Sequence, residues 1–156
     1  MFKFLFVDEE NAYEGPMAEA VVKDVFEFSE FSVSAKSRGL NVPEGKKYGN
    51  STLMIIGGIN EDIEIDWENA YAVQLTQEDI DEADVVITMT NAQKAALKDR
   101  CPAEKLFTFF EYTVGSTDDL TSPKGYDLVA YRDCLCGMGE AIGTLLEKWE
   151  NEKGSN

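Results

Sequence analysis

The sequence predicts an α/β fold in which helices wind around a parallel sheet, the architecture known as doubly wound. Apolar, strand-like segments alternate with amphipathic, helix-like segments over the 156 residues, and this order is typical of parallel sheets. Residues 85–89 are a continuous apolar and β-branched run, as expected for a strand covered on both faces. A hydrophobic fraction of 44%, without a linker or a repeat, fits one domain with one core. We therefore assign residues 1–150 to a single domain and residues 151–156 to a frayed tail.

The first half of the chain is predicted to hold two strands and two helices. Residues 2–7 form an apolar strand, and Pro16 begins a helix that runs to about Phe28, because proline is favoured at the first helical position. Residues 31–38 alternate as a second strand, and residues 51–59 form a second helix. The spacing places the following side chains in the core: Met17, Val21, Val25, Phe28, Phe31, Val33, Ala35, Leu53, Ile56 and Ile59.

The second half of the chain continues the alternation. Residues 85–89 form the third strand, and a helix from Ala92 to about Lys98 follows it. Residues 106–109 form the fourth strand, and residues 127–150 form the long final helix. The predicted buried positions of that helix are Leu128, Tyr131, Leu135, Ile142, Leu145 and Trp149.

The segment between the first strand and the first helix is the most informative part of the sequence. An apolar strand followed by a short turn and a proline-led helix usually presents backbone N–H groups to a phosphate. Here residues 8–14 carry four carboxylates in seven residues and no basic side chain. This loop is therefore the candidate binding site, formed by Asp8, Glu9, Glu10, Asn11, Ala12, Tyr13, Glu14 and Gly15.

The chain resembles the low-molecular-weight protein tyrosine phosphatases and the related bacterial arginine phosphatases. Residues 16–20 read Pro-Met-Ala-Glu-Ala directly after the loop, as in that family, and residues 37–40 read Ser-Arg-Gly-Leu. The segments 74–80, 83–90, 93–94, 107–108 and 111–112 then follow in family order. The resemblance implies a sheet of four parallel strands with helices on both faces. It also implies a reaction in which a thiolate attacks phosphorus, an arginine holds the phosphate and an aspartic acid protonates the leaving group.

The residues at the corresponding positions imply that this chemistry is absent. Asp8 stands where the family has its nucleophilic cysteine, Glu14 where it has the phosphate-binding arginine, and Ser122 where it has the general acid. Glu10 replaces a glycine, and Tyr13 occupies a position where a second cysteine is common, whereas the family's asparagine and proline are retained in the loop and at the helix start. We therefore expect a catalytically inactive family member, a pseudophosphatase with a binding or regulatory role.

Three interpretations of the loop carboxylates stay open. In the first, one carboxylate folds into the anion-binding backbone and accepts its N–H groups. In the second, Asp8, Glu10 and Glu14 hold Mg²⁺ or Ca²⁺, which prefer oxygen ligands, and could support metal-dependent hydrolysis at Asp8. In the third, the loop is an acidic pocket for an arginine, lysine or amine group. An active phosphotyrosine or phosphoarginine phosphatase is the least favoured function, because each close like-charge contact opposes phosphate binding by about 1 kcal/mol even in water.

Two tyrosines are expected near the mouth of the loop. If the family geometry holds, Tyr112 and Tyr126 lie at the rim together with Ser122. There they would contact a ligand or cover an apolar surface.

Charge and composition restrict the classes of partner and of site that the chain can have. With 14 basic and 30 acidic residues the formal net charge is −16, which argues against nucleic acid or an anionic membrane as partner and favours cations or a protein with a basic surface. The chain contains no histidine, so catalysis and zinc sites that need one are excluded. The apolar N-terminal run is too short for a signal peptide or a membrane span, so we expect a cytoplasmic protein. Three cysteines, at positions 101, 134 and 136, are expected to be buried and unpaired.

Overall fold

The computed structural model describes residues 1–59 and 69–154. Its strands are β1 (Phe2–Asp8), β2 (Val33–Gly39), β3 (Val85–Thr88) and β4 (Leu106–Thr108). Its helices are α1 (Glu14–Phe26), α2 (Asn50–Gly57), α3 (Gln77–Glu82), α4 (Asn91–Leu97), α5 (Phe109–Val114) and α6 (Leu128–Gly154), with a short 3₁₀ helix at Ala103–Lys105.

The four strands form one parallel sheet in the order β2-β1-β3-β4, which confirms the predicted fold class. The register pairs Asp8 with Gly39 across β1 and β2, and Val7 with Thr88 across β1 and β3. The carboxyl ends of the strands therefore meet at one edge, where ligands bind in open α/β sheets. Asp8, the last residue of a central strand, lies at that edge.

Helices cover both faces of the sheet because alternate side chains of each strand point to opposite sides. On one face, Phe4 and Phe6 of β1 pack in a core with residues of α1, α5 and α6. On the other face, Leu5 and Val7 pack with Ile80 of α3 and Leu97 of α4. In the described part of the chain, no helix is long and apolar enough to cross a bilayer.

The ends of several elements differ from the sequence predictions. Helix α1 ends at Phe26, and the Ser29 N–H donates to the Phe26 carbonyl in the turn that follows. The predicted core residue Phe28 lies in this turn, outside the helical periodicity, and is 94% exposed. Leu128 is also exposed, because it is the first residue of α6 and the buried part of that helix begins only at Tyr131.

The short helices α3 and α5 were absent from the predicted elements, and the predicted fourth strand ends at Thr108, one residue early. Both helices begin with a capping box, in which a threonine side chain and an acidic side chain three residues later bond each other's backbone N–H. This signal is readable in the sequence at Thr76 with Asp79 and at Thr108 with Glu111. At the other end of the chain, α6 continues to Gly154, four residues beyond its predicted end.

The three cysteines are free, as expected, but their burial differs. Cys101 is buried and Cys134 is partly buried. Cys136 is exposed, so the prediction that all three are buried is wrong for this residue. The reason is helical geometry, since two residues along α6 turn the side chain away from the core.

Candidate functional site

The loop after β1 closes around the Asp8 carboxylate. Asp8 Oδ1 accepts a hydrogen bond from the Asn11 backbone N–H at 2.6 Å, and Oδ2 accepts one from the Gly15 N–H at 3.0 Å. Gly15 is the second residue of α1, whose preceding residue Tyr13 provides no side-chain cap. Asp8 thus satisfies an N–H group that a helix start leaves unpaired, seven residues along the chain. Its side chain is only 1% exposed.

Gly15 is required by this arrangement. A Cβ atom at residue 15 would lie 2.9 Å from the Asp8 Cγ and about as close to both carboxylate oxygens. Real Cβ atoms essentially never approach other atoms so closely. The absence of a side chain at Gly15 is therefore what allows the carboxylate to reach the helix start.

Hydrogen bonds of the Asn11 side chain connect the loop to two neighbouring segments. Its backbone has a positive φ of 56°, a left-handed conformation that asparagine tolerates better than most residues. Its side-chain amide donates to Ser37 Oγ at 2.9 Å, and its Oδ1 accepts from the Val73 N–H at 2.8 Å. Ser37 Oγ in turn donates to Glu19 Oε2 at 3.1 Å. The loop backbone is thereby held against β2 and the segment before α3.

Glu14 lies beside Asp8 and is 5% exposed. Ser122 Oγ donates to Glu14 Oε2 at 2.8 Å, so the segment expected to face the loop does reach it. Glu10 extends toward the same segment, where Lys124 Nζ lies 2.6 Å from its Oε2. Glu9 is turned away to Asn41, whose side-chain amide donates to Glu9 Oε1 at 2.8 Å.

Burial controls the electrostatics of the two inner carboxyl groups. Loss of hydration, and after it the neighbouring Glu14 carboxylate, raise the pKa of Asp8 from 3.8 to about 7. The N–H groups of Gly15 and Asn11 oppose this shift because they favour the charged form. Burial also raises the pKa of Glu14, against the opposing hydrogen bonds from its own backbone and from Ser122. The loop therefore holds two adjacent acids that ionise less readily than exposed ones.

A cavity of about 540 Å³ opens above the loop. Its walls come from the loop, from the start of α4 and from the segment before α6. The lining residues are Asp8, Glu9, Glu10, Tyr13, Glu14, Asn41, Thr90, Gln93, Leu120, Ser122 and Lys124.

Three loop residues are buried and do not line the cavity: Asn11, Ala12 and Gly15. The Ala12 carbonyl accepts hydrogen bonds from the Gly49 N–H at 3.0 Å and from Thr52 Oγ1 at 2.8 Å. These three residues shape the loop rather than face a ligand.

The expected rim tyrosines do not line the cavity. The Tyr112 ring packs against Phe107 and Phe4, with centroid distances of 5.1 and 6.3 Å, because α5 directs it toward the core that contains Phe4 and Phe6. Tyr126 lies in the segment before α6 and is 70% exposed. Thr90 and Gln93 line the cavity wall instead, and they also form the capping box of α4.

Among the described residues, Lys124 is the one basic side chain that lines the cavity, and sequence reasoning missed it. The signal was available, since this lysine follows Ser122 by two residues in a segment already assigned to the site.

The three carboxylates proposed as metal ligands point to different partners. Asp8 faces backbone N–H groups, Glu14 faces Ser122, and Glu10 faces Lys124. Among residues 1–59 and 69–154, no group of three or more acidic or cysteine side chains is arranged to hold a metal ion. Binding of Mg²⁺ or Ca²⁺ would require these side chains to exchange their present partners.

A family model described as low molecular weight phosphotyrosine protein phosphatase matches residues 3–155. The chain belongs to this family. The protein-arginine-phosphatase of Bacillus subtilis (strain 168) is 26% identical to it, over 96% of this chain and 97% of the relative. The protein-arginine-phosphatase of Geobacillus stearothermophilus is 28% identical, over 97% of this chain and 99% of the relative.

Solved structures of the family superpose along nearly the whole chain. A crystal structure of a YwlE mutant from Bacillus subtilis has a TM-score of 0.85 at 25% identity, covering 96% of this chain and 99% of the other. The YwlE arginine phosphatase from Geobacillus stearothermophilus has a TM-score of 0.83 at 28% identity, covering 100% and 97%. A third structure, an arginine phosphatase mutant with a phosphorylated active-site serine, has a TM-score of 0.82 at 25% identity over 96% of each chain.

Proposed function

We propose that this member of the low molecular weight phosphatase family is catalytically inactive and acts by binding another protein. The observation that supports this most directly is the position of the Asp8 carboxylate, which accepts the Asn11 and Gly15 N–H groups inside the loop. Backbone N–H groups of such a loop are the usual donors to a phosphate. A phosphoryl group would have to displace a side chain that is covalently attached to the same loop.

The chemistry of the loop supports the same proposal. Residues 8–15 contain no thiol, no guanidinium and no ammonium group, and four of them are acidic. The mutant relative described above carries its phosphoryl group on an active-site serine, a residue without charge. By resemblance that position corresponds to Asp8 in this chain. Losing a nucleophile removes on the order of a millionfold of rate in well-studied enzymes.

The charge of the cavity suggests the chemistry of the partner. Among the described residues, the acidic side chains that line it are Asp8, Glu9, Glu10 and Glu14 and the basic one is Lys124, within a chain of net charge −16. Such a surface favours a basic partner and disfavours nucleic acid. We propose a protein with lysine or arginine side chains on its surface as the partner. A cytoplasmic location stays a prediction.

The proposal is tested by assaying the purified protein with an aryl phosphate, a phosphotyrosine peptide and a phosphoarginine peptide, each with and without Mg²⁺. The Bacillus subtilis protein-arginine-phosphatase serves as the positive control. We expect no turnover above that of the Asp8→Ala variant in any condition. Turnover that Asp8→Asn abolishes would refute the proposal, and turnover that also needs Mg²⁺ would favour metal-dependent hydrolysis at Asp8.

A gain-of-function experiment tests the physical reason. We expect Asp8→Cys alone to stay inactive, because the buried Glu14 still opposes a phosphate dianion next to the thiol. Asp8→Cys combined with Glu14→Arg is the smallest change for which turnover is expected. Activity of the single Asp8→Cys variant would show that Glu14 does not block phosphate binding.

A further inference from the structure

We propose that the cavity above the loop binds the ammonium group of a lysine side chain on a partner protein, and that Lys124 of the chain itself occupies this site in the free state. This inference rests on the proposed binding function and specifies its ligand.

An ammonium group already lies in the cavity. Lys124 Nζ is 2.6 Å from Glu10 Oε2 and 5.4 Å from the centre of the Tyr13 ring. Lys46 Nζ also lies 5.4 Å from the centre of this ring and donates to Tyr13 Oη at 3.1 Å. A carboxylate and an aromatic face together form a recognised arrangement for binding a cation. This internal group is evidence for ammonium binding that is independent of the number of acidic residues nearby.

Lys124 is held loosely enough to be displaced. Its side chain is 54% exposed, and Glu10 is its ion-pair partner among the described residues. The backbone on its N-terminal side is anchored, since Pro123 is buried and Ser122 Oγ bonds both Glu14 and the Lys124 N–H. Rotation of the lysine side chain therefore vacates the site without moving the segment. An exposed ion pair of this kind contributes little, so an incoming ammonium group loses little by replacing it.

The rest of the cavity suits a long aliphatic side chain that ends in a positive charge. The volume of about 540 Å³ exceeds the space that one lysine side chain needs, and Leu120 provides an apolar wall. Asp8 and Glu14 lie beneath the mouth and are more than nine-tenths buried. Because burial raises the pKa values of both, the pair is only partly ionised at neutral pH, and a cation nearby favours the ionised forms. A second ammonium group above them is therefore attracted, whereas a phosphate is repelled.

The experiment uses the full chain labelled with ¹⁵N and two lysine probes. One probe is Nα-acetyl-lysine methylamide, and the other is the same compound acetylated on Nε, which keeps the aliphatic stem, adds an acetyl group and removes the charge. Binding is measured from the shifts of the backbone amide signals of residues 8–15 during titration. We expect the charged probe to shift these signals in a saturable manner and the acetylated probe to leave them in place.

The variants separate the site from general electrostatic attraction. Lys124→Ala removes the internal competitor and should tighten binding of the charged probe by about threefold, in the range set by an exposed ion pair. Lys153→Ala is the matched control, because Lys153 forms a 2.8 Å ion pair with Glu30, is 56% exposed and changes the net charge equally. It should leave the affinity unchanged. Glu10→Gln and Tyr13→Leu should each weaken binding severalfold, whereas Tyr13→Phe, which keeps the ring, should not.

Three results would overturn the inference. One is the absence of saturable shifts with Lys124→Ala, the variant in which Glu10 has no ion-pair partner among the described residues. The second is equal binding of the charged and acetylated probes. The third is an equal gain in affinity from Lys124→Ala and Lys153→Ala, which would indicate attraction by net charge alone. These results leave the proposed inactivity untouched, because that proposal depends on turnover, so the two failures are distinguishable.

Discussion

Replacing Asp8 by asparagine is expected to change how the stability of the protein depends on pH. Burial, together with the neighbouring Glu14 carboxylate, raises the Asp8 pKa from 3.8 to about 7, so the folded protein keeps a proton that the unfolded chain loses near pH 4. A folded state that binds more protons loses stability as the pH rises between these values. At 1.36 kcal/mol per pKa unit, the ionised Asp8 lowers the free energy of unfolding above pH 7 by about 4 kcal/mol.

The asparagine side chain at position 8 is uncharged at every pH, and its shape resembles that of the protonated aspartic acid. The substituted amide has one oxygen for the N–H groups of Asn11 and Gly15, and its NH₂ faces the other donor. The cost of leaving that donor unsatisfied is about 1–3 kcal/mol. Protonated Asp8 has a similar mismatch, because one of its oxygens then carries a hydrogen. We therefore expect the variant and the parent protein to have similar stability at pH 5.

At pH 8.5 the two proteins should differ, with the Asp8→Asn variant more stable by up to about 4 kcal/mol. Urea unfolding of both proteins at several pH values between 5 and 8.5 measures the difference, and titrating groups common to both largely cancel. If the difference stays constant over this range, or if the variant becomes relatively less stable as the pH rises, the assignment of a raised Asp8 pKa is refuted.

Further predictions concern packing and can be checked by the same urea unfolding at pH 7. Gly15→Ala should destabilise the protein by about 1–3 kcal/mol, because the new Cβ meets the Asp8 carboxylate at 2.9 Å. Gly137→Ala should stabilise α6 by up to about 1 kcal/mol, because the described residues place no atom within 4 Å of its Cβ. Equal effects of the two would refute the proposed contact. Phe26→Ala should cost about 3–5 kcal/mol and Phe28→Ala less than about 0.5 kcal/mol, since these side chains are 2% and 94% exposed; the reverse order would contradict the observed end of α1.

The parts of the fold that the sequence predicted well are those set by long apolar patterns. Strand β1 and the buried run of β3 are continuous in the sequence, so they were recognised within one or two residues of their observed bounds. Helices α3 and α5 were missed because six residues are too few to show a helical period. Their capping boxes were the available signal. Phe28 was misplaced because periodicity does not reveal where a helix stops.

The candidate site was also predicted only in part. Asp8 and Glu14 are close in sequence, so their place at the end of β1 followed from the strand-loop-helix pattern. The approach of Ser122 followed from the family resemblance. The pairing of Lys124 with Glu10 joins residues 114 positions apart, and no local pattern reports such a contact. Tyr112 does not line the cavity, because the direction of its side chain depends on α5, a helix too short to be predicted from periodicity.

The Asp8 carboxylate also changes what the loop requires from its surroundings. A loop whose N–H groups converge on an external anion is fully ordered only when that anion is present, and its order then follows the anion's concentration. Here the anion is part of the chain and is held beside its donors by the strand that carries it. Groups fixed in this way behave as if present at concentrations far above any that a dissolved ion reaches. The loop should therefore keep one shape whether phosphate is scarce or abundant, as a surface that presents a constant face to a partner must do.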